Sequence, residues 1–221
     1  MTVYVLPSGM CRSPHFAGRR IYMKGNLFRD YAHEAGHVLG LAHGDRRAPV
    51  TGKHDTSGDT STYMGISPSG NYSLPQLHWL GWTTKEELVQ VNSAIDNGGS
   101  IDVTLRPMGT NADSTGGLLL GAVWEDPSTG RRLFISVPKP RTNNSNQIEG
   151  GTVFVHRSAK GVGCTGACMG ALQMAWFSVK SNTEHDAFGI FIKPVSYTSR
   201  FIQEGGQRIE VFTSVTLRIR R

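Results

Sequence analysis

The sequence predicts an α+β chain. A half built on one histidine-bearing helix, residues 1–83, precedes an all-β, sandwich-like half, residues 84–221. Three observations carry that prediction. Apolar residues between positions 27 and 39 recur at helical spacing, with His33 and His37 four apart on one face. From Thr83 onward the chain breaks into short β-branched and aromatic runs divided by Gly, Asn, Asp and Pro clusters. With 221 residues, 38% of them hydrophobic, the chain can bury one large core or two small ones.

Residues 2–6 are β-branched or aromatic and read as a short strand ended by Pro7; 8–18 read as loop, and 20–24 as a second strand ended by Gly25-Asn26. Asn26 is the expected N-cap of a helix over 27–39. Phe28, Ala32, Ala35 and Leu39 should face the core, and the histidines should flank that face in a cleft. Gly40 follows His37 by three, where the helix should end; a glycine there takes a positive φ easily, so the chain can turn and carry His43 back toward His33 and His37. Three neutral imidazoles are a ligand set for Zn²⁺ that leaves the fourth position to water, the mark of a catalytic rather than a structural site. Glu34, beside His33, can hold that water and act as general base.

Residues 44–60 read as a polar loop, in which Asp45 could fix a histidine tautomer, while His54 and Asp55 are expected on plain surface. Met64, 21 residues past His43, is suited to pack as a soft floor beneath the imidazoles. Residues 73–82 read as a short helix with Pro75 in its first turn, Gly81 closing it, and Leu77 and Leu80 packed below the site. His78 is expected to be structural, since three histidines already satisfy a catalytic zinc.

The stretch His33-Glu34-Ala35-Gly36-His37-Val38-Leu39-Gly40-Leu41-Ala42-His43 resembles the HExxHxxGxxH zinc motif of the metzincin peptidases. Together with Gly58-Asp59, Met64-Gly65 and Leu80-Gly81-Trp82, it makes residues 1–82 similar to the gametolysin family of algal cell-wall-lytic metallopeptidases. The resemblance implies a zinc-dependent metalloendopeptidase. Residues 1–83 would be a truncated, metzincin-like zinc-helix domain with Met64 in the methionine turn, and 84–221 a β-rich C-terminal domain. It further implies protein or peptide substrates, such as cell-wall or matrix glycoproteins, and an extracellular setting. Some metzincins use a tyrosine two residues past the methionine as an extra ligand; here that position is Ile66. The family places several strands and a helix before its zinc helix, whereas 32 residues precede His33, so the resemblance implies N-terminal truncation. The first residues show no signal-peptide pattern.

In the second half, β-type runs fall at 101–105, 118–124, 132–137, 151–156, 172–179 and 210–220, and turn residues at 97–99, 126–130, 149–151 and 205–206. His156 and His185 lack a paired spacing and are expected to be packed or exposed rather than ligands. The formal charge of +6 favours acidic partners such as anionic wall polymers, or simply a solvated surface. No basic cluster is interleaved with aromatics, so no nucleic-acid partner is expected, and no apolar run of about 18 residues suggests a membrane span. Of Cys11, Cys164 and Cys168, the last two are close enough for a small local disulfide, leaving Cys11 as a free thiol or one whose partner is missing. Two competing readings are a catalytically impaired zinc-binding relic, and a carbohydrate-binding β half in which Trp124, Trp176 and Tyr197 stack on sugars.

Overall fold

The structure, a computed structural model, describes residues 2–6, 15–23, 27–47, 54–55, 57–66, 71–110, 116–138, 141–142, 148–149, 151–160, 169–204 and 206–221. In chain order its first elements are β1 (Thr2–Val5), β2 (His15–Ala17), β3 (Arg20–Met23), α1 (Phe28–Val38), β4 (Leu41–Arg47), β5 (His54–Asp55) and α2 (Leu74–Trp79). Next come β6 (Leu88–Gln90), α3 (Asn92–Ile95), β7 (Ser100–Leu105), β8 (Gly121–Glu125), β9 (Arg132–Ser136), β10 (Arg141–Thr142) and β11 (Ile148–Glu149). The last are β12 (Thr152–Lys160), β13 (Met169–Ser178), β14 (His185–Asp186), β15 (Phe191–Glu204) and β16 (Gln207–Arg220).

The α+β expectation is overturned: the chain is mainly β, 51% strand and 13% helix. There is no truncated metzincin-like helical half followed by a separate all-β, sandwich-like half. The difference arises just past the helix. The start of the 44–60 stretch, read from sequence as loop, lies in strand β4, which pairs in parallel with β13 at Leu172↔Asp45 and Gln173↔Arg46. Gly-Asp-Arg-Arg has no strand signature of its own; backbone pairing to a strand more than 120 residues away makes it β. A seven-stranded sheet in the order β5-β4-β13-β12-β9-β8-β6 therefore takes strands from both sides of residue 83.

A four-stranded sheet, β14-β15-β16-β7, shares one core with the seven-stranded sheet, built around Leu105, Trp124, Ile135, Val155, Ile192 and Leu217. A second cluster with Met64, Tyr72, Leu74, Leu77, Val123 and Phe134 joins α2 and the loop before it to the same sheet. Alternation along the strands explains both. On β9, Leu133 and Ile135 belong to the first cluster and Phe134 to the second; on β8, Ala122 and Trp124 belong to the first and Val123 to the second. A strand buried on both faces reads as an unbroken apolar run, as these do in the sequence. A small sheet β1-β3-β2 lies beside α1, and β10 and β11 form a two-residue ladder.

The β runs at 101–105, 132–137, 151–156, 172–179 and 210–220 each lie largely within a strand, whereas β15 was not foreseen: Phe191–Glu204 mixes Pro, Ser, Thr and Arg, and most of its side chains stay exposed. Trp124 is buried and its Nε1 donates to Asp96 at 3.0 Å, so it presents no sugar-stacking face; Trp176 and Tyr197 remain exposed. Cys11, Cys164 and Cys168 lie outside the described residues. No helix among the described residues is long and apolar enough to cross a membrane.

Candidate metal centre

Helix α1 supplies the first two histidines. Its N-cap position is Leu27, with no side-chain cap; the expected cap, Asn26, lies outside the described residues. Its orientation also differs from the sequence expectation. Ala32 is buried as expected, but Phe28 and Leu39 are exposed, at 69% and 42%, and Glu34 and Gly36 are buried as well. The reason is close approach. A Cβ on Gly36 would stand 2.3 Å from Met64 Sδ and 3.1 Å from Tyr72 Cε1, so the inner face must be small for the helix to lie on Met64. Tyr72 ties this face down, its hydroxyl donating to the Ala32 carbonyl at 2.8 Å. Met64, fully buried, thus lies against the helix at Gly36.

Gly40 makes the turn out of α1 at φ +89°, and the chain enters β4 with Leu41, Ala42 and Gly44 buried and His43 looking outward. A Cβ at Gly40 would also meet the Trp79 ring at 2.9 Å. Gly40→Ala is therefore expected to cost about 1–2 kcal/mol from left-handed backbone alone, with further loss from the tryptophan contact. Urea unfolding of the variant beside wild type checks this; an unchanged midpoint would count against the turn's role.

The three imidazoles converge. Ring centroids stand 4.8 Å apart for His33–His37, 5.2 Å for His33–His43 and 4.9 Å for His37–His43, and the candidate ligand nitrogens all lie within 4.8 Å of one another. Two tautomers follow from hydrogen bonds. His33 Nδ1 faces the Tyr63 carbonyl at 2.7 Å and His37 Nδ1 faces the Leu41 carbonyl at 2.8 Å. A carbonyl only accepts, so each Nδ1 carries the proton, and in the neutral rings each Nε2 presents a lone pair. Those two Nε2 atoms stand 3.2 Å apart. Without a cation, two lone pairs at that distance repel. Two nitrogens each about 2.0–2.1 Å from a tetrahedral Zn²⁺ would be about 3.3 Å apart, so the donor pair fits that ion.

The electrostatics favour the neutral rings a metal requires. Burial lowers His37 to about 4, with His33 and His43 adding to the shift and the Leu41 hydrogen bond opposing it. Burial lowers His43 as well, His33 adding to the shift and Asp45 opposing it. Beside the triad, a cleft of about 290 Å³ is lined by Arg29, Asp30, His33, Glu34, Tyr63, Gly65 and Ile66. Glu34 is 6% exposed and opens onto this cleft beside His33. Burial holds the Tyr63 phenol above its usual range, so it stays protonated there.

No protein-family model, curated protein or solved structure matches the chain. Among the described residues, His33, His37 and His43 form the one group of His, Cys, Asp and Glu side chains placed to hold a metal ion.

The other residues singled out by sequence fall elsewhere. Asp45 Oδ1 accepts from the Ser57 amide at 2.9 Å, and backbone carbonyls set the tautomers of His33 and His37 instead. Asp55 pairs with Arg46 at 2.7 Å on β5, the strand that also carries His54. His78 lies on α2 against Phe134, its Nδ1 3.1 Å from Thr83 Oγ1. His185 stacks on Phe177 at 4.1 Å, and Ile66, 60% exposed, lines the cleft. His156 is packed as expected, but against partners the sequence did not suggest, Asp59 and Ser61. The carbonyls of Tyr63 and Leu41 were also missed, because every residue has a carbonyl and none marks itself in a sequence.

Proposed function

We propose that the protein is a zinc-dependent metalloendopeptidase, with His33, His37 and His43 as metal ligands and Glu34 as general base. The observation that carries this reading is the pair of Nε2 lone pairs 3.2 Å apart beside a cleft that Glu34 lines. Zinc held there would supply a Lewis acid that polarises a peptide carbonyl and lowers the pKa of water from about 15.7 toward 7. The Tyr63 and Leu41 carbonyls keep the His33 and His37 rings in the metal-binding tautomer. Glu34 takes the proton from the attacking water and returns it to the leaving amine nitrogen. Ile66 and Tyr63 offer an apolar wall for a substrate side chain, while Arg29 and Asp30 give the cleft a charged end. Wall or matrix glycoproteins as substrates, and an extracellular setting, rest on the gametolysin resemblance.

The test is metal content together with hydrolysis. The purified full chain is expected to carry about one zinc per chain, to cleave casein or a gelatin-type substrate, to lose activity with a chelator, and to regain it with zinc. A chain that takes up no zinc, or that binds zinc and cleaves neither protein, would overturn the assignment.

A further inference from the structure

We propose that His156, on β12, is a positioning residue for the metal centre: through Asp59 and Ser61 it pins the 59–65 turn that holds two of the three histidines. This rests on the metal-site reading above. Asp59, Ser61 and His156 are 0%, 2% and 0% exposed. His156 Nε2 stands 3.0 Å from Asp59 Oδ2 and 2.9 Å from Ser61 Oγ. A carboxylate only accepts, so Nε2 carries the proton. Asp59 Oδ1 takes the Ser61 amide at 2.7 Å and the Ser61 hydroxyl at 2.6 Å. The buried carboxylate thus has three protein donors, one of them from a residue 97 positions along the chain.

The turn so anchored reaches two ligands. Its Tyr63 carbonyl accepts from His33 Nδ1 at 2.7 Å. Its two ends hold Gly44, the residue after His43: Gly44 N donates to the Met64 carbonyl at 2.8 Å, and Asp59 N donates to the Gly44 carbonyl at 3.0 Å. The fit leaves little slack, since a Cβ on Gly44 would stand 2.6 Å from Thr62 Cγ2 and one on Gly65 only 1.8 Å from the Asp59 carbonyl oxygen. Moving Asp59 therefore moves the supports of His33 and His43 together. His156 acts through Nε2 alone: its Nδ1 has no hydrogen-bond partner among the described residues.

The experiment compares variants of the full chain by zinc affinity, measured against a chromogenic chelator, and by the visible bands of the Co²⁺-loaded protein. Loss of a group that supports metal ligands typically costs about 10–100-fold in affinity, and His156→Leu is expected to weaken zinc binding within that range and to shift the Co²⁺ bands. His156→Gln, whose amide can replace the Nε2 donor, is expected to stay within about threefold of wild type. Val153→Ala, in the other core, is the stability control and should leave zinc affinity unchanged. If His156→Leu does not fold, Ser61→Ala removes one donor to Asp59 and is expected to weaken zinc by at least about threefold. The proposal is overturned if the leucine variant, or Ser61→Ala in its place, binds zinc like wild type, or if Val153→Ala weakens binding as much. A wild-type chain that takes up no zinc overturns this proposal and the metal reading together; zinc-binding wild type with an unaffected leucine variant overturns this proposal alone.

Discussion

Glu34→Gln is expected to leave zinc bound and to lower peptide hydrolysis by about 10²–10⁴-fold, the usual share of a general base. The amide has the shape of the carboxyl, so it fits a site only 6% exposed without repacking α1 on Met64. What it lacks is the ability to take a proton from water. The loss should therefore fall on kcat more than on KM, with zinc content unchanged. Full turnover by a zinc-loaded Glu34→Gln chain would remove Glu34 from the role of base. Zinc loss in this variant would instead show that the carboxylate supports the metal.

His37→Ala is expected to give the largest change in metal binding. It removes one of the two nitrogens that stand 3.2 Å apart and so dismantles that donor pair. Zinc content and activity should both fall to background, measured by metal analysis and substrate digestion. The same ring makes stability depend on pH. Its pKa in the folded chain is lowered to about 4, against about 6.5 when unfolded. Between those values the unfolded chain binds more protons, so acid favours unfolding. Metal-free wild type is expected to hold this stability above pH 6.5 and to lose it as pH falls toward 4, by about 1–2 kcal/mol once partial exposure of the ring is allowed for. Urea midpoints of the chelator-treated protein across that window should decline, and those of His37→Ala should decline less. Equal slopes for the two proteins would contradict the assigned shift. The depressed pKa also means that protons compete with zinc at His37 only as pH approaches 4, later than an ordinary histidine would allow.

Local features of the site were legible in the sequence because they depend on neighbours. Four-residue spacing brings His33 and His37 onto one side of a helical turn, and the glycine at 40 supplies the positive φ that leads into His43. Pro75 and Gly81 bracket the short helix α2, at whose start Ser73 donates its amide and its hydroxyl to Gln76 Oε1 at 3.0 and 2.9 Å. The helix's buried face was not legible. Its apolar stripe pointed to Phe28, Ala32, Ala35 and Leu39, and of these only Ala32 is buried, because Met64 and Tyr72 select the face with the least bulk, that of Ala32 and Gly36. Nor was the mainly β character, since β4 has no apolar alternation and is a strand only because β13 offers it backbone partners.

The sequence by itself determined the three imidazoles, the carboxylate beside them and the glycine at the turn between them, all within eleven consecutive residues. Only the tertiary structure decided what holds them: the Tyr63 carbonyl 30 residues from His33, and the buried Asp59–His156 contact between positions 97 apart. Contacts of that separation are made by the packing of sheet and helix. No local pattern encodes them, because the partner that satisfies each buried polar group is chosen by the fold as a whole.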